Sequence, residues 1–223
     1  KLNDFKHKFI NMKLSNQNKI EIIKTAISKI NKPNILELGV QKGVSTKMFL
    51  DICNRKNGKL TSIDIQDCSR VSKSKRWKFI MSSDDNFDYI KNKIKNNKFD
   101  ILFIDSLHEP NHVRKVFFYY YAYLKKGGLI FIDDVVWLPY IKNASRDNQF
   151  VERINRLTFN KILEIYNTNQ NNFSLNINFY KSGLAIIRKM NNKKLNDEKT
   201  IINRMGTLKN IVKKYFYAPK PKN

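Results

Sequence analysis

Five short apolar runs, separated by stretches of helical periodicity, constrain the fold of this chain more than any other feature. They are NILEL from Asn34, KLTSIDI from Lys59, KFIMSS from Lys78, FDILFID from Phe99 and LIFID from Leu129. Runs this short suit strands, and apolar residues on both of their faces suit strands covered on both sides. Helical segments of about 10–15 residues between them argue a parallel sheet wound on both faces. Helices are predicted over 16–31, where Ile20, Ile23, Ile27 and Ile30 share a face before Pro33, over 43–55, over 84–97, over 110–128 and from 148 onward. The stretch FSLNINFYKSGLAIIRK reads differently. It gives two strands, 173–179 and 183–188, joined by a tight turn, so the sheet is expected to close on an antiparallel pair. The fold class is therefore α/β: a doubly wound, mostly parallel, seven-stranded sheet ending in a hairpin. Residues 1–190 read as one domain. Residues 191–223 read as a basic tail with a helix in which Ile201, Met205, Leu208, Val212 and Tyr215 share a face.

The totals narrow the function classes. A chain of 223 residues with 41% hydrophobic content suits one domain that buries roughly 70% of its unfolded surface. No apolar run reaches the roughly 20 residues that a membrane helix needs, and the polar, basic start has no signal-peptide core. The chain begins at Lys1 rather than Met, as a fragment or a trimmed chain does. Two cysteines, Cys53 and Cys68, make no disulfide framework, so a reducing, cytoplasmic setting is expected. The net charge of +24 would draw the protein toward nucleic acid, an anionic membrane or an acidic substrate. The joint abundance of Lys, Asn and Ile is also what A/T-rich codons supply. Lysine far outnumbers arginine, whereas phosphate-clamping surfaces favour the arginine fork.

Glycine is scarce, with seven in the chain, and two of them bracket the turn after the first strand, in ELGVQKGVST. Gly39 there can take positive φ and admit a ligand to the backbone. Gly43 opens the next helix, whose free N–H groups favour an anionic group. In an open α/β sheet this turn belongs to the ligand crevice at the carboxyl ends of the strands. The spacing is neither Gly-x-Gly-x-x-Gly nor a P-loop. The stretch ILELGVQKGVST resembles the first motif of the class I S-adenosylmethionine-dependent methyltransferases, a Rossmann-like family: an acidic residue, then Gly-x-x-x-Gly. The resemblance implies that Glu37, Gly39, Gly43 and Ser45 cradle S-adenosylmethionine. It implies that Asp64, ending the second strand, binds the ribose hydroxyls, and that Ser83 and Asp84 lie by the adenine. Asp84 reads equally well as a helix N-cap.

Two further strands end in carboxylates. The fourth gives FIDSLHEP, with Asp105, His108 and Glu109, and the fifth gives Asp133 and Asp134. In a parallel sheet these ends share one edge, so Asp105, Asp133 and Asp134 can converge. Three carboxylates together repel one another unless a cation joins them, and such oxygen ligands suit Mg²⁺, Mn²⁺ or Ca²⁺. The competing reading is that Asp133 or Asp134 caps a helix or pairs with a lysine. The pattern Asp105-Ser-Leu-His108 followed by KKGGLIFIDD resembles the metal-dependent O-methyltransferases, especially the macrocin/mycinamicin-type sugar O-methyltransferases and their cephalosporin-hydroxylase-like relatives. The match covers roughly 34–137. It implies Asp105, Asp133 and Asp134 as ligands of a divalent metal, with Mg²⁺ expected, and His108 as general base with Asp105 in the catalytic group. His112, four residues on, reads as a surface histidine.

The implied activity is methyl transfer from S-adenosylmethionine to a hydroxyl of a small-molecule or glycan acceptor. Trp137, Pro139 and Tyr140 could wall the acceptor site, and Lys142 and Arg146 would favour an acidic one. RNA is the runner-up acceptor, motivated by charge alone, although no convincing Lys-Asp-Lys-Glu tetrad is present. A methyltransferase-like binding domain without catalysis is the non-enzyme alternative. A homo-oligomer is compatible with all three.

Overall fold

The computed structural model describes residues 19–137, 149–201 and 208–216. Its elements are α1 (Lys19–Ser28), β1 (Asn34–Leu38), α2 (Val44–Lys56), β2 (Lys59–Asp64), β3 (Trp77–Met81), α3 (Phe87–Ile94), β4 (Phe99–Ile104), α4 (Pro110–Tyr121), β5 (Leu124–Asp133), α5 (Gln149–Thr168), β6 (Phe173–Asn178), β7 (Leu184–Lys189) and α6 (Leu208–Phe216). The strands form one seven-stranded sheet in the order β3-β2-β1-β4-β5-β7-β6. β1 to β5 run parallel, and β7 is antiparallel to both β5 and β6. The expected architecture is the observed one.

Alternation along the strands feeds two cores, one on each face. Ile101 and Phe103 of β4 join Ile22, Ile23 and Ile27 of α1 and Phe49 and Ile52 of α2 on one side. Leu102 and Ile104 join Ile90 of α3, Val116 and Phe117 of α4 and Ile162 of α5 on the other. Burial on both faces explains why these strands are continuously apolar.

The helix expected over 84–97 is shorter, Phe87–Ile94, and the boundary between α4 and β5 departs further from the sequence reading. Helix α4 stops at Tyr121, and β5 starts at Leu124, so Gly127 and Gly128 lie within β5 rather than capping a helix. Leu124 pairs with Phe99 and Leu129 with Ile101, and an irregularity lies between. Gly127 has φ 82°, and a Cβ on Gly128 would stand 2.9 Å from the Asp100 carbonyl oxygen. The two glycines thus let β5 absorb its extra residues, a strand-interior use that the helical run before them conceals.

Residues 191–201 lie along the body. Leu195 is buried, and Glu198 pairs with Arg114 at 2.5 Å and with Lys161 at 3.3 Å. The tail helix is present as α6, with Leu208, Ile211 and Val212 exposed. Among the described residues no helix is long and apolar enough to cross a membrane. Cys53 and Cys68 are both free and buried.

Candidate functional site

The chain lays down β1, β2 and β3 in one direction and then returns to lay down β4 on the other side of β1. The carboxyl ends of β1 and β4 therefore flank the switch point, where open α/β sheets bind ligands. The two ends are tightly joined. The Asp105 N–H donates to the Leu38 carbonyl at 2.9 Å, and the Gly39 N–H donates to that of Ile63 at 2.9 Å. A Cβ on Gly39, at φ 94°, would stand 2.1 Å from the Asp105 carbonyl oxygen. Gly43 has φ 75° as the N-cap of α2, and a Cβ there would stand 2.2 Å from Val71. Both glycines are required by their backbone conformation and by close neighbours.

The loop between them is tied to β2 through Asp64. One carboxylate oxygen of Asp64 accepts the N–H groups of Val40 at 2.7 Å and Gln41 at 3.0 Å, and the other accepts that of Gln66 at 2.9 Å. Burial pushes this carboxyl up, but those three backbone donors outweigh it and hold the pKa below the usual aspartate value. The result is an ionised, acceptor-only group at the rim of the crevice. Glu37 lies underneath, with no exposed surface. Its oxygens accept the hydroxyls of Ser45 (2.6 Å), Thr46 (2.9 Å) and Ser62 (2.6 Å). Burial raises its pKa against those three donors. Ser45 is consequently turned toward Glu37.

After β3, the Ser83 hydroxyl donates to Asp85 at 2.6 Å. Asp84 does not cap α3, whose N-cap is Asn86. It is buried instead, where Ser106 donates to it at 2.6 Å and His112 Nε2 lies 3.0 Å from its other oxygen. This corrects the reading of His112 as a surface residue: its side chain is only 12% exposed, and Asp84 raises its pKa. His112 lies in the first turn of α4, which starts at Pro110, on the side that faces Asp84.

The acidic cluster lies at the ends of β4 and β5. His108 Nε2 stands 3.5 Å from Asp105 Oδ1 and 3.8 Å from Asp134 Oδ2. The Thr158 hydroxyl on α5 donates to the His108 carbonyl at 2.5 Å and pins its loop. Asp134 takes φ 55°, a left-handed conformation that Asp tolerates better than most residues. Its N–H donates to Asp133 Oδ1 at 2.8 Å. Burial, and then the charges of Asp133 and Asp134, push the Asp105 carboxyl up to about 8. Lys19, the first residue of α1, forms an ion pair with Asp133, lies 3.6 Å from Asp134 Oδ1 and donates to Ser182 Oγ at 2.6 Å. Among the described residues no three His, Cys, Asp or Glu side chains are gathered closely enough to hold a metal ion. The expected ligands are thus neighbours on one edge with a lysine between two of them, and they form no ready-made cage.

A family model for a methyltransferase domain matches residues 36–135, which run from β1 through both glycines, Asp64, the cluster and Asp134. Residues 36–135 are thus similar to a methyltransferase domain, and the seven-stranded sheet has the class I methyltransferase fold. No curated protein sequence matches it. Among solved structures, the domain is similar to MycE, a methyltransferase of the mycinamycin biosynthetic pathway in complex with Mg and SAH. That likeness has a TM-score of 0.59 and 22% identity over 82% of this chain and 51% of MycE, so the chain spans about half of that enzyme's length. A Staphylococcus aureus protein named for caffeoyl-CoA O-methylation matches with a TM-score of 0.60 and 20% identity, over 84% of this chain and 97% of that one. A Clostridium thermocellum protein named as an rRNA methylase matches with a TM-score of 0.58 and 16% identity, over 80% and 99%. At these identities the likenesses concern the fold.

At this edge of the sheet, sequence reasoning missed two contacts. The pairing of His112 with Asp84 had a signal, since His112 lies four residues after His108 at the opening of a predicted helix. The approach of Lys19 to Asp133 had none, because it depends on where α1 crosses the sheet, 114 positions away in sequence. Trp137 lies beneath the guanidinium of Arg156, 5.9 Å from its ring centre. Pro139, Tyr140, Lys142 and Arg146 lie outside the described residues.

Proposed function

We propose that this domain transfers a methyl group from S-adenosylmethionine to a hydroxyl of a sugar or sugar-containing acceptor, with the help of a divalent metal ion. The observation that carries the reading is the cluster in which His108 stands between Asp105 and Asp134, near Asp133, on the strand ends next to the switch point. In its chemistry, though not as a closed cage, the donor set suits a hard cation. Asp133 and Asp134 help raise the pKa of Asp105, and a lysine ammonium already stands among them. The glycine loop and the ionised Asp64 fit the cofactor, because a carboxylate offers acceptors to a vicinal diol.

S-adenosylmethionine supplies an electrophilic methyl on a sulfonium, and a divalent ion supplies positive charge beside the acceptor oxygen. In this reading Asp105, Asp133 and Asp134 hold the ion, with Mg²⁺ expected. Gly39 and Gly43 keep the loop backbone open to the methionyl part, Asp64 takes the ribose hydroxyls, and Glu37 supports the loop from below. Ser83 and the Asp84 network border the adenine. A sugar hydroxyl is a poor nucleophile at neutral pH. His108 accepts its proton as the acceptor oxygen bonds to the methyl carbon and S-adenosylhomocysteine leaves, and the two flanking carboxylates orient the ring. Holding the two reactants in line supplies much of the rate.

The test is transfer of labelled methyl from S-adenosylmethionine to a panel of sugar acceptors, with Mg²⁺ and with EDTA. The reading expects EDTA-sensitive transfer, reduced about 10²–10⁴-fold by His108→Ala. Transfer to RNA alone, or transfer indifferent to EDTA, would refute it.

A further inference from the structure

The cation beside the acidic cluster belongs to the protein itself. We propose that Lys19 is a built-in counter-ion that occupies the cluster in the metal-free protein and must be displaced when a divalent ion binds. The proposal rests on the metal-dependent reading above.

Three contacts place Lys19 there: the ion pair with Asp133, the 3.6 Å approach to Asp134 and the 2.6 Å bond to Ser182 Oγ. Its side chain is 18% exposed and that of Asp133 is 16% exposed. The pair is therefore shielded from most of the solvent, where ion pairs are screened less than at the open surface. The position of Lys19 is set by its helix. Ile22, Ile23 and Ile27 of α1 are buried at 5%, 3% and 0% exposure in the core shared with α2, so the start of α1 is held at this edge of the sheet. Ser182 is almost wholly buried and accepts the same ammonium. The ammonium is thus held on two sides, by β5 and by the turn before β7.

An ammonium and a divalent ion compete for these carboxylates. Each needs their oxygen lone pairs, and at contact distance the two positive charges repel. The lysine stem is flexible enough for its head to leave without moving α1. When a site is open for only a fraction of the time, its apparent affinity falls by that fraction. If Lys19 holds the cluster nine-tenths of the time, divalent binding is about tenfold weaker than the carboxylates alone would give. Lys19 would then set the metal concentration at which the cluster loads.

The experiment is Mn²⁺ titration of the full chain, read by the electron paramagnetic resonance signal of the free aquo-ion, for wild type, Lys19→Met and Lys19→Arg. The expected result is about tenfold tighter binding for K19M and wild-type affinity for K19R, because charge rather than packing is what competes. A second readout is the acylation rate of the Lys19 amine, mapped by mass spectrometry, which should rise with saturating Mn²⁺ in wild type. If wild type binds Mn²⁺ and K19M binds it equally or more weakly, Lys19 is not a competitor and this inference alone falls. An acylation rate unmoved by bound Mn²⁺ overturns it in the same way. If no variant binds Mn²⁺, both the inference and the metal-dependent reading fall. Should K19M fail to fold, Lys19→Gln replaces it, and the same outcomes decide.

Discussion

Replacing Glu37 with alanine separates a structural role from a binding one. Glu37 is fully buried and accepts three hydroxyls, of which those of Thr46 and Ser62 are on buried residues. Ser62 already accepts the indole N–H of Trp77 at 2.9 Å, so its own O–H has no other role in this contact. Stranding two buried hydroxyls costs about 1–3 kcal/mol each, and the vacated space adds a cavity term. Against that, burial of a carboxyl with a raised pKa no longer opposes folding, a relief of several kcal/mol at most. The balance is a loss of about 3 kcal/mol, or a melting temperature lower by about 6–12 °C for a domain of this size. Glu37→Gln keeps an acceptor for Thr46 and Ser62 and can donate to Ser45, so its loss should stay near 1 kcal/mol. Urea unfolding followed by circular dichroism, with S-adenosylhomocysteine binding on the same samples, reads both quantities. The reasoning fails if Glu37→Ala is within about 1 kcal/mol of wild type, or if it abolishes binding while stability is kept, since the carboxylate would then touch the ligand directly.

Two further outcomes follow from the geometry. Gly39→Ala puts a Cβ 2.1 Å from the Asp105 carbonyl oxygen at φ 94°, so strain and displacement together should cost about 2–5 kcal/mol, and a smaller loss in urea unfolding would show that β1 and β4 yield easily at the switch point. Asp105, pushed up to about 8, keeps in the folded state a proton that the unfolded chain releases near the ordinary aspartate value of about 3.9. Its contribution to stability is therefore present below that lower value and is lost as pH rises toward about 8. In EDTA, wild type should lose melting temperature between pH 6 and pH 8.5 relative to Asp105→Asn, and parallel curves for the two proteins would contradict the assignment.

Much of the fold was legible because its signals are local. NILEL is β1 residue for residue, and FSLNIN and LAIIRK form the closing hairpin. Both reflect a period or a run that packing had no reason to override. The end of α4 was not legible. The aromatic run after Val116 reads as helix, while pairing of Leu124 with Phe99 decides the matter. At the site, the edge was readable from strand-end residues: Gly39, Asp64, Asp105, Asp133 and Asp134 all sit where a parallel sheet collects them. What each side chain touches was less so. Glu37, expected at the ligand, is spent beneath the loop, and Asp84 is engaged by Ser106 and His112. Lys19 answers the lysine-pairing alternative for Asp133, yet its approach depends on helix placement that no local pattern encodes.

The central claim is that the crevice between β1 and β4 binds the methyl donor through the glycine loop and Asp64. Calorimetric titration of S-adenosylhomocysteine into wild type and Asp64→Ala, with folding of both checked by circular dichroism, tests it most directly. The account predicts saturable one-to-one binding to wild type that Asp64→Ala weakens at least tenfold. Absence of binding to the folded wild type, or equal binding by the two proteins, would contradict it.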